Sequence, residues 1–177
     1  MGLSVNMWEL FVYFCQHNDL SIMITFIGDQ TCMMDTKGRV LFPASFRKQM
    51  PDGVSDSFVL KKDIYESCLV LYPMEEWERQ NSILQKKLNP YNKEHNKFLR
   101  LFYKDVEFVS LDNAGRFLIS SRLQVLARIE KEIVLAGQLG KIEVWSKAQY
   151  EMSTRMDGFS VLAEKLLGTS PLGMEDV

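Results

Sequence analysis

The chain has 177 residues, enough for one domain with a proper core or for two small lobes fused into one. Hydrophobic residues make up 46% and charged residues 25%, an ordinary globular balance that argues against disorder. The formal charge is −2, which excludes a uniformly basic nucleic-acid binder, so any affinity for phosphates has to come from local clustering.

Part of that acidity belongs to the first 22 residues, which hold Glu9 and Asp19 but no Lys or Arg; from Met23 onward 21 basic side chains face 21 acidic ones. The segment also holds an apolar run, Met7 to Cys15, too short to span a bilayer and lacking the basic n-region and small-residue cleavage site of a secretory leader. Cys15, Cys32 and Cys68 form no C-x-x-C pair, and His17 and His95 stand far apart. Neither a disulfide framework nor a metal site is indicated, and a reduced cytoplasmic protein without cofactors is expected.

From Met23 the pattern predicts strand, turn, strand: Thr25 to Met34 enters the turn and Val40-Leu41-Phe42 leaves it, with Pro43 ending the ladder. Ala44 to Met50 predicts a short helical turn, Phe58-Val59-Leu60 and Cys68 to Tyr72 the next two strands, and Lys61-Lys62 a solvated strand end. Pro73 with Glu75-Glu76 opens a helix whose stripe is Met74, Trp77, Leu84 and Leu88. Asn89-Pro90 breaks it, and a second helix starts near Tyr91 with Tyr91, His95, Phe98 and Phe102 on one face. Val106 to Leu111 re-enters strand, Ser121 to Lys131 reads as helix, and Ile133 to Ala136 with Lys141 to Trp145 as the last strand pair. Gly137-Gln138-Leu139-Gly140 predicts a hairpin turn rather than a nucleic-acid clamp, since it joins strands. Ser146 to about Leu167 reads as an amphipathic helix interrupted near Asp157-Gly158, with a fraying end beyond Gly168.

One phrase occurs twice in that order. Asp35-Thr36-Lys37-Gly38-Arg39 precedes Val40-Leu41-Phe42-Pro43, and 77 residues later Asp112-Asn113-Ala114-Gly115-Arg116 precedes Phe117-Leu118-Ile119-Ser120. After each copy a strand ends in an aromatic residue, Tyr72 or Trp145, with another aromatic, Trp77 or Tyr150, five positions on. The chain is therefore internally duplicated, which fixes its architecture. In each phrase the Asp can accept turn amides and the Gly can take positive φ. Turn geometry does not require the following Arg, whose planar fork suits phosphate and guanine edges. Asp35, Asp112, Gly38 and Gly115 are accordingly expected to orient the motif, and Arg39 and Arg116 to bind, supported by Lys37, Arg47 and Arg122.

The two phrases, the Leu71-Tyr72-Pro73 to Trp77 segment and Leu135-Ala136-Gly137-Gln138 before Glu143-Val144-Trp145 closely resemble the MraZ family, in order and spacing, from about Met23 to about Tyr150. The resemblance implies an α+β, predominantly β, internally duplicated swapped-hairpin barrel of the AbrB kind, with helices between and after the repeats. It divides the chain into an extension (1–22), a first repeat (23–77), a helical connector (78–104), a second repeat (105–150) and a C-terminal helix and tail (151–177). Because it begins near Met23, the first 22 residues are expected to be a mis-called start or an appendage to the barrel. It further implies a nucleoid-associated regulator of the division and cell-wall gene cluster that controls its own promoter. Its partners would be double-stranded DNA with repeated boxes and copies of itself in a ring, with no membrane and no small-molecule substrate.

Ala114 stands where the first copy has Lys37, and Ser120 where it has Pro43, so the second motif should contribute less to phosphate binding. The neutral charge favours an alternative, an oligomeric interaction or scaffold protein of the same fold with little DNA affinity. An enzyme is not expected: no phosphate-cradling loop, nucleophile elbow or metal-ligand cluster occurs.

Overall fold

Residues 24–155 and 158–168 are described by a computed structural model of the chain; the apolar run at Met7 to Cys15, Asp157 and the end beyond Gly168 lie outside them. Eight strands form where the sequence places β-branched and aromatic residues between turns: β1 (Phe26–Met33), β2 (Arg39–Leu41), β3 (Ser57–Lys62), β4 (Leu69–Pro73), β5 (Glu107–Ser110), β6 (Arg116–Leu118), β7 (Glu132–Leu139) and β8 (Lys141–Ser146). Among the described residues six helices accompany them: α1 (Ala44–Arg47), α2 (Met74–Lys87), α3 (Lys93–Tyr103), α4 (Ser121–Ala127), α5 (Lys147–Ser153) and α6 (Phe159–Leu167). None is long and apolar enough to cross a membrane among the described residues.

The main sheet is antiparallel in the order β1-β7-β8-β4-β3-β5, and β2 pairs with β6 in a separate ribbon. Exchanging each strand for its counterpart in the other copy (β1 for β5, β3 for β7, β4 for β8) returns the same order reversed. The two copies are thus related by an approximate two-fold axis through the β4/β8 pair. Each copy also lends its first strand to the other, since β1 pairs with β7 along eight residues and β5 with β3 along four. The α+β, mainly antiparallel architecture matches the expectation. A closed barrel is not found: the six-stranded sheet ends on β1 and β5, and the ribbon forms a separate sheet that meets the end of β1 through an isolated Met34–Val40 bridge.

The apolar positions on one face of the sheet meet the ribbon and the short helices α1 and α4. Phe46 of α1 lies edge-on to Phe26 at 5.6 Å, Phe42 lies 5.2 Å from Phe58, and Val40, Phe117 and Leu123 are fully buried beside them. Fully burying each such side chain is worth roughly 1.5–3 kcal/mol. On the other sheet face the aromatic pair repeats in structure as in sequence: Tyr72 packs on Trp77 at 5.8 Å, and Trp145 on Tyr150 at 6.2 Å. Trp77 also stacks on Phe102 of α3 at 5.6 Å, which fastens the connector helices to the sheet.

Several boundaries shift for identifiable reasons. Asn92 caps α3 by accepting the amides of Glu94 and His95, so the helix begins at Lys93 rather than at Tyr91. His95 accepts the Asn89 amide through Nδ1 at 2.9 Å and thereby ties the break between the helices. Helix α4 ends at Ala127, short of Lys131, because Arg128 takes a left-handed conformation, φ 52°. Gly137 falls inside β7, where a Cβ would come within 2.7 Å of the Phe26 backbone, so the hairpin turn itself is confined to Leu139-Gly140. Lys61, expected at a solvated strand end, is instead buried: β3 continues through it and turns its side chain under α3.

Candidate nucleic-acid interface

Each phrase closes its own turn through one carboxylate. Asp35 accepts the amides of Lys37 and Arg39 through Oδ1, both at 2.9 Å, and the Arg39 guanidinium through Oδ2, from Nε at 2.8 Å and Nη2 at 2.7 Å. Asp112 repeats this with the amides of Ala114 and Arg116 at 2.9 Å and with Nε and Nη2 of Arg116 at 3.0 and 2.8 Å. The main chain closes as well, Gly38 N–H donating to Asp35 C=O and Gly115 N–H to Asp112 C=O. The Arg39 amide and then its guanidinium hold the Asp35 carboxyl down at about 2; Arg116, guanidinium first, likewise lowers Asp112. Each Asp thus holds the Arg of its own phrase in an ion pair, while each arginine stays about one-third exposed.

The β2/β6 ribbon brings the two turns together. Arg39 pairs with Leu118, Val40 with Phe117 and Leu41 with Arg116, a register in which each residue faces the counterpart of its mirror position. Two more bonds obey the same symmetry, Phe42 N–H to Gly115 C=O at 2.9 Å and Ile119 N–H to Gly38 C=O at 2.8 Å. Because strand side chains alternate, Val40 and Phe117 point into the core. The outer face carries Arg39 and Arg116 at one pair of diagonal corners and the half-exposed Leu41 and Leu118 at the other.

The supporting cations are less free. Lys37 is exposed with no ion pair among the described residues. Arg47 is paired with Asp56, and Arg122 donates to Asp105 at 2.8 Å and to Glu107 at 3.1 Å. Glu107 also accepts from Ser120 Oγ, whose oxygen in turn caps α4 by accepting the Leu123 amide. Arg122 is therefore fastened to the start of β5 and is not an unpaired cation.

Beside each turn lies a cleft whose other wall is the helix of the opposite copy. The second turn faces Ala44 and Arg47 of α1 across about 550 Å³, and the first turn faces Ser121 and Gln124 of α4 across about 670 Å³. The counterpart of Arg47 is therefore Gln124, not Arg122. Gln124 Nε2 donates to Ile119 C=O at 2.7 Å, and a Cβ on Gly38 would meet that same nitrogen at 2.7 Å. Lys131 lines this cleft as well. Sequence reasoning passed over Gln124 and Lys131, although the 77-residue offset alone pairs position 47 with 124.

Comparison with known proteins fits this arrangement. The family described as "MraZ protein, putative antitoxin-like" matches the chain twice, over residues 25–101 and 102–163, one match for each turn. Among curated relatives, the Transcriptional regulator MraZ of Christiangramia forsetii is 40% identical over 151 residues, covering 82% of this chain and 95% of that one. That of Phocaeicola vulgatus is 41% identical over 147 residues, with the same coverage. The Clostridium tetani protein of the same name is 38% identical over 126 residues, or 71% of this chain and 84% of its own. With both halves matched and relatives aligned across most of their length, the chain belongs to the MraZ family.

Proposed function

We propose that the protein is a DNA-binding transcriptional regulator that reads promoter DNA with the outer face of the β2/β6 ribbon. The observation that carries this reading is the diagonal pair Arg39 and Arg116, each presented by its own Asp-x-x-Gly turn and related by the approximate two-fold axis. An Asp-held guanidinium loses little conformational freedom on meeting a phosphate or guanine edge, and its Nη1 makes no hydrogen bond among the described residues. Lys37, which has no ion pair among the described residues, adds a cation beside the first motif. The relatives' name, Transcriptional regulator MraZ, supports the same reading.

The proposed target is the promoter of the protein's own gene at the head of the division and cell-wall cluster, in the nucleoid, with repeated boxes each engaged by one copy in a ring. Strand exchange between the repeats supports a swapped-hairpin origin for the fold. The alternative, a scaffold that has lost DNA affinity, draws support from the ion-paired Arg47 and Arg122 and from the neutral total charge.

A fluorescent duplex carrying the DNA upstream of the gene, titrated at several salt concentrations, separates the two. Binding that weakens steeply with salt, and that an Arg39→Ala/Arg116→Ala double variant loses with its log–log salt slope reduced by about 2, supports the regulator. Equal binding by both proteins would make the arginines structural. A wild-type protein that prefers this duplex no more than a scrambled one points to the scaffold.

A further inference from the structure

Strand β3 carries Lys61 onto the sheet face covered by α2 and α3, where the residue is 4% exposed and its ammonium lies 4.3 Å from the centre of the Phe102 ring. Among the described residues that ammonium makes no hydrogen bond or ion pair. Asp63, two positions on, is engaged elsewhere: it accepts the amides of Tyr65 at 2.8 Å and Glu66 at 2.9 Å and faces Lys141 at 4.0 Å. Burial is the main influence on Lys61 and holds its pKa below the ordinary lysine range; Asp63 opposes this, and Lys141 and Lys62 add to it. The Lys61 side chain is buried, and its ammonium, set against an aromatic face with Asp63 acting on it only through space, has no direct anionic partner among the described residues.

A pocket of about 310 Å³ opens beside it. Lys61 and Phe102 line it together with Ile64, Phe98 and Leu101, and Phe98 and Leu101 remain 39% and 63% exposed, so the apolar wall meets solvent. Lys62 and Lys104 stand at the rim with Asp63 and Asp105. Both aspartates are already matched, Asp63 as above and Asp105 by Arg122, so the uncompensated charge of the pocket is positive.

We propose that this pocket binds a small amphipathic carboxylate, an organic acid of about ten to twelve heavy atoms in keeping with a cavity near the lower end of ligand-pocket sizes. Its carboxylate pairs with the Lys61 ammonium, and its apolar body lies along Phe98, Leu101 and Phe102. Between the apolar walls lies only the Lys61 ammonium, with Lys104 at the rim and Lys62 already donating to the Asp63 and Glu66 carbonyls, which suits a monoanion with a hydrocarbon body better than a phosphate, whose further acceptors would meet the apolar walls. An organic cation is repelled by Lys61. The site stands apart from the DNA-binding reading, and its test uses no DNA.

The full chain, labelled with isotopic lysine, is titrated with 3-phenylpropionate by calorimetry and by NMR of the Lys61 side chain, with 3-phenylpropan-1-ol and 3-phenylpropylamine as neutral and cationic counterparts. Expected is saturable one-to-one binding of the acid with a Kd below about 1 mM, at least about tenfold tighter than the alcohol, and a rise in the Lys61 pKa on saturation. Lys61→Met removes the preference for the acid without lowering the thermal unfolding midpoint. Leu101→Trp, placed from the exposed side of α3, fills the pocket and lowers affinity for acid and alcohol alike. Equal affinity for acid and alcohol, undiminished binding of the acid by Lys61→Met, or no saturable binding to the wild type overturns the proposal.

Discussion

Val40 sits opposite Phe117 at the centre of the two-stranded ribbon, and both side chains are fully buried. They occupy equivalent positions in the two copies, so a small β-branched residue meets a large aromatic one where the approximate axis crosses the ribbon. The pair anchors both Asp–Arg turns to one core, which couples interior packing to the spacing of Arg39 and Arg116. Phe117→Ala should cost about 3–5 kcal/mol in urea unfolding and Val40→Ala clearly less, because the larger side chain leaves the larger cavity. Equal costs would mean that the ribbon collapses onto the gap.

The two turn glycines should respond unequally to alanine. Both have positive φ, 80° at Gly38 and 72° at Gly115, and left-handed backbone costs a non-glycine residue about 1–2 kcal/mol. A Cβ at Gly115 meets nothing within 4 Å, whereas at Gly38 it meets Gln124 Nε2 and the Ile119 carbonyl at 2.7 Å. Gly38→Ala should therefore destabilise at least about twice as much as Gly115→Ala. Chemical denaturation of the two variants measures the difference, and parity would show that α4 moves aside freely.

Acid should weaken the first turn over a defined window. Asp35 titrates at about 2 in the folded chain, against about 3.9 for an unfolded aspartate. Its contribution is complete above the unfolded value and is lost as pH falls through the folded one, because the unfolded chain takes up the proton first. Thermal midpoints followed from pH 5 to pH 2 should fall less steeply for Asp35→Asn than for wild type. Parallel curves would mean that the turn survives protonation.

Strand β1 is an edge of the sheet, and Gln49 covers part of it, accepting from Ile27 N–H at 2.8 Å and donating to its carbonyl at 3.2 Å. Gln49→Ala should cost about 1 kcal/mol and expose the Ile27 amide, since an unpaired strand edge regains contact with water. Hydrogen exchange at that amide reports it directly; unchanged protection would assign the amide another shield.

If the ion pairs restrain the supporting cations, freeing one should strengthen DNA binding. Asp105→Asn keeps a residue type that tolerates the left-handed φ of 60° while removing one of the two carboxylates that face Arg122. Duplex affinity should rise about two- to fivefold, with a salt slope steeper by up to about 1. No change in either quantity would make Arg122 a structural fastener of β5 to α4.

The sequence by itself determined the duplication, the two Asp-x-x-Gly turns and the tie between each Asp and the Arg four residues on. These are local matters: every bond from Asp35 or Asp112 reaches within four residues, so residue types at fixed spacing suffice. The strand-end aromatics followed the same logic, with Trp77 and Tyr150 each five residues beyond the partner they touch, as the fourth residue of the helix that follows the strand. Only the tertiary structure decided that β1 pairs with β7 and β5 with β3, that Arg47 and Arg122 are neutralised by Asp56, Asp105 and Glu107, and that Lys61 lies beneath Phe102. Periodicity reports which way a strand faces, but it does not say what covers that face. Strand exchange, ion pairing and lysine burial all depend on which distant segments become neighbours, and that follows from how the two copies satisfy each other's sheet edges and core.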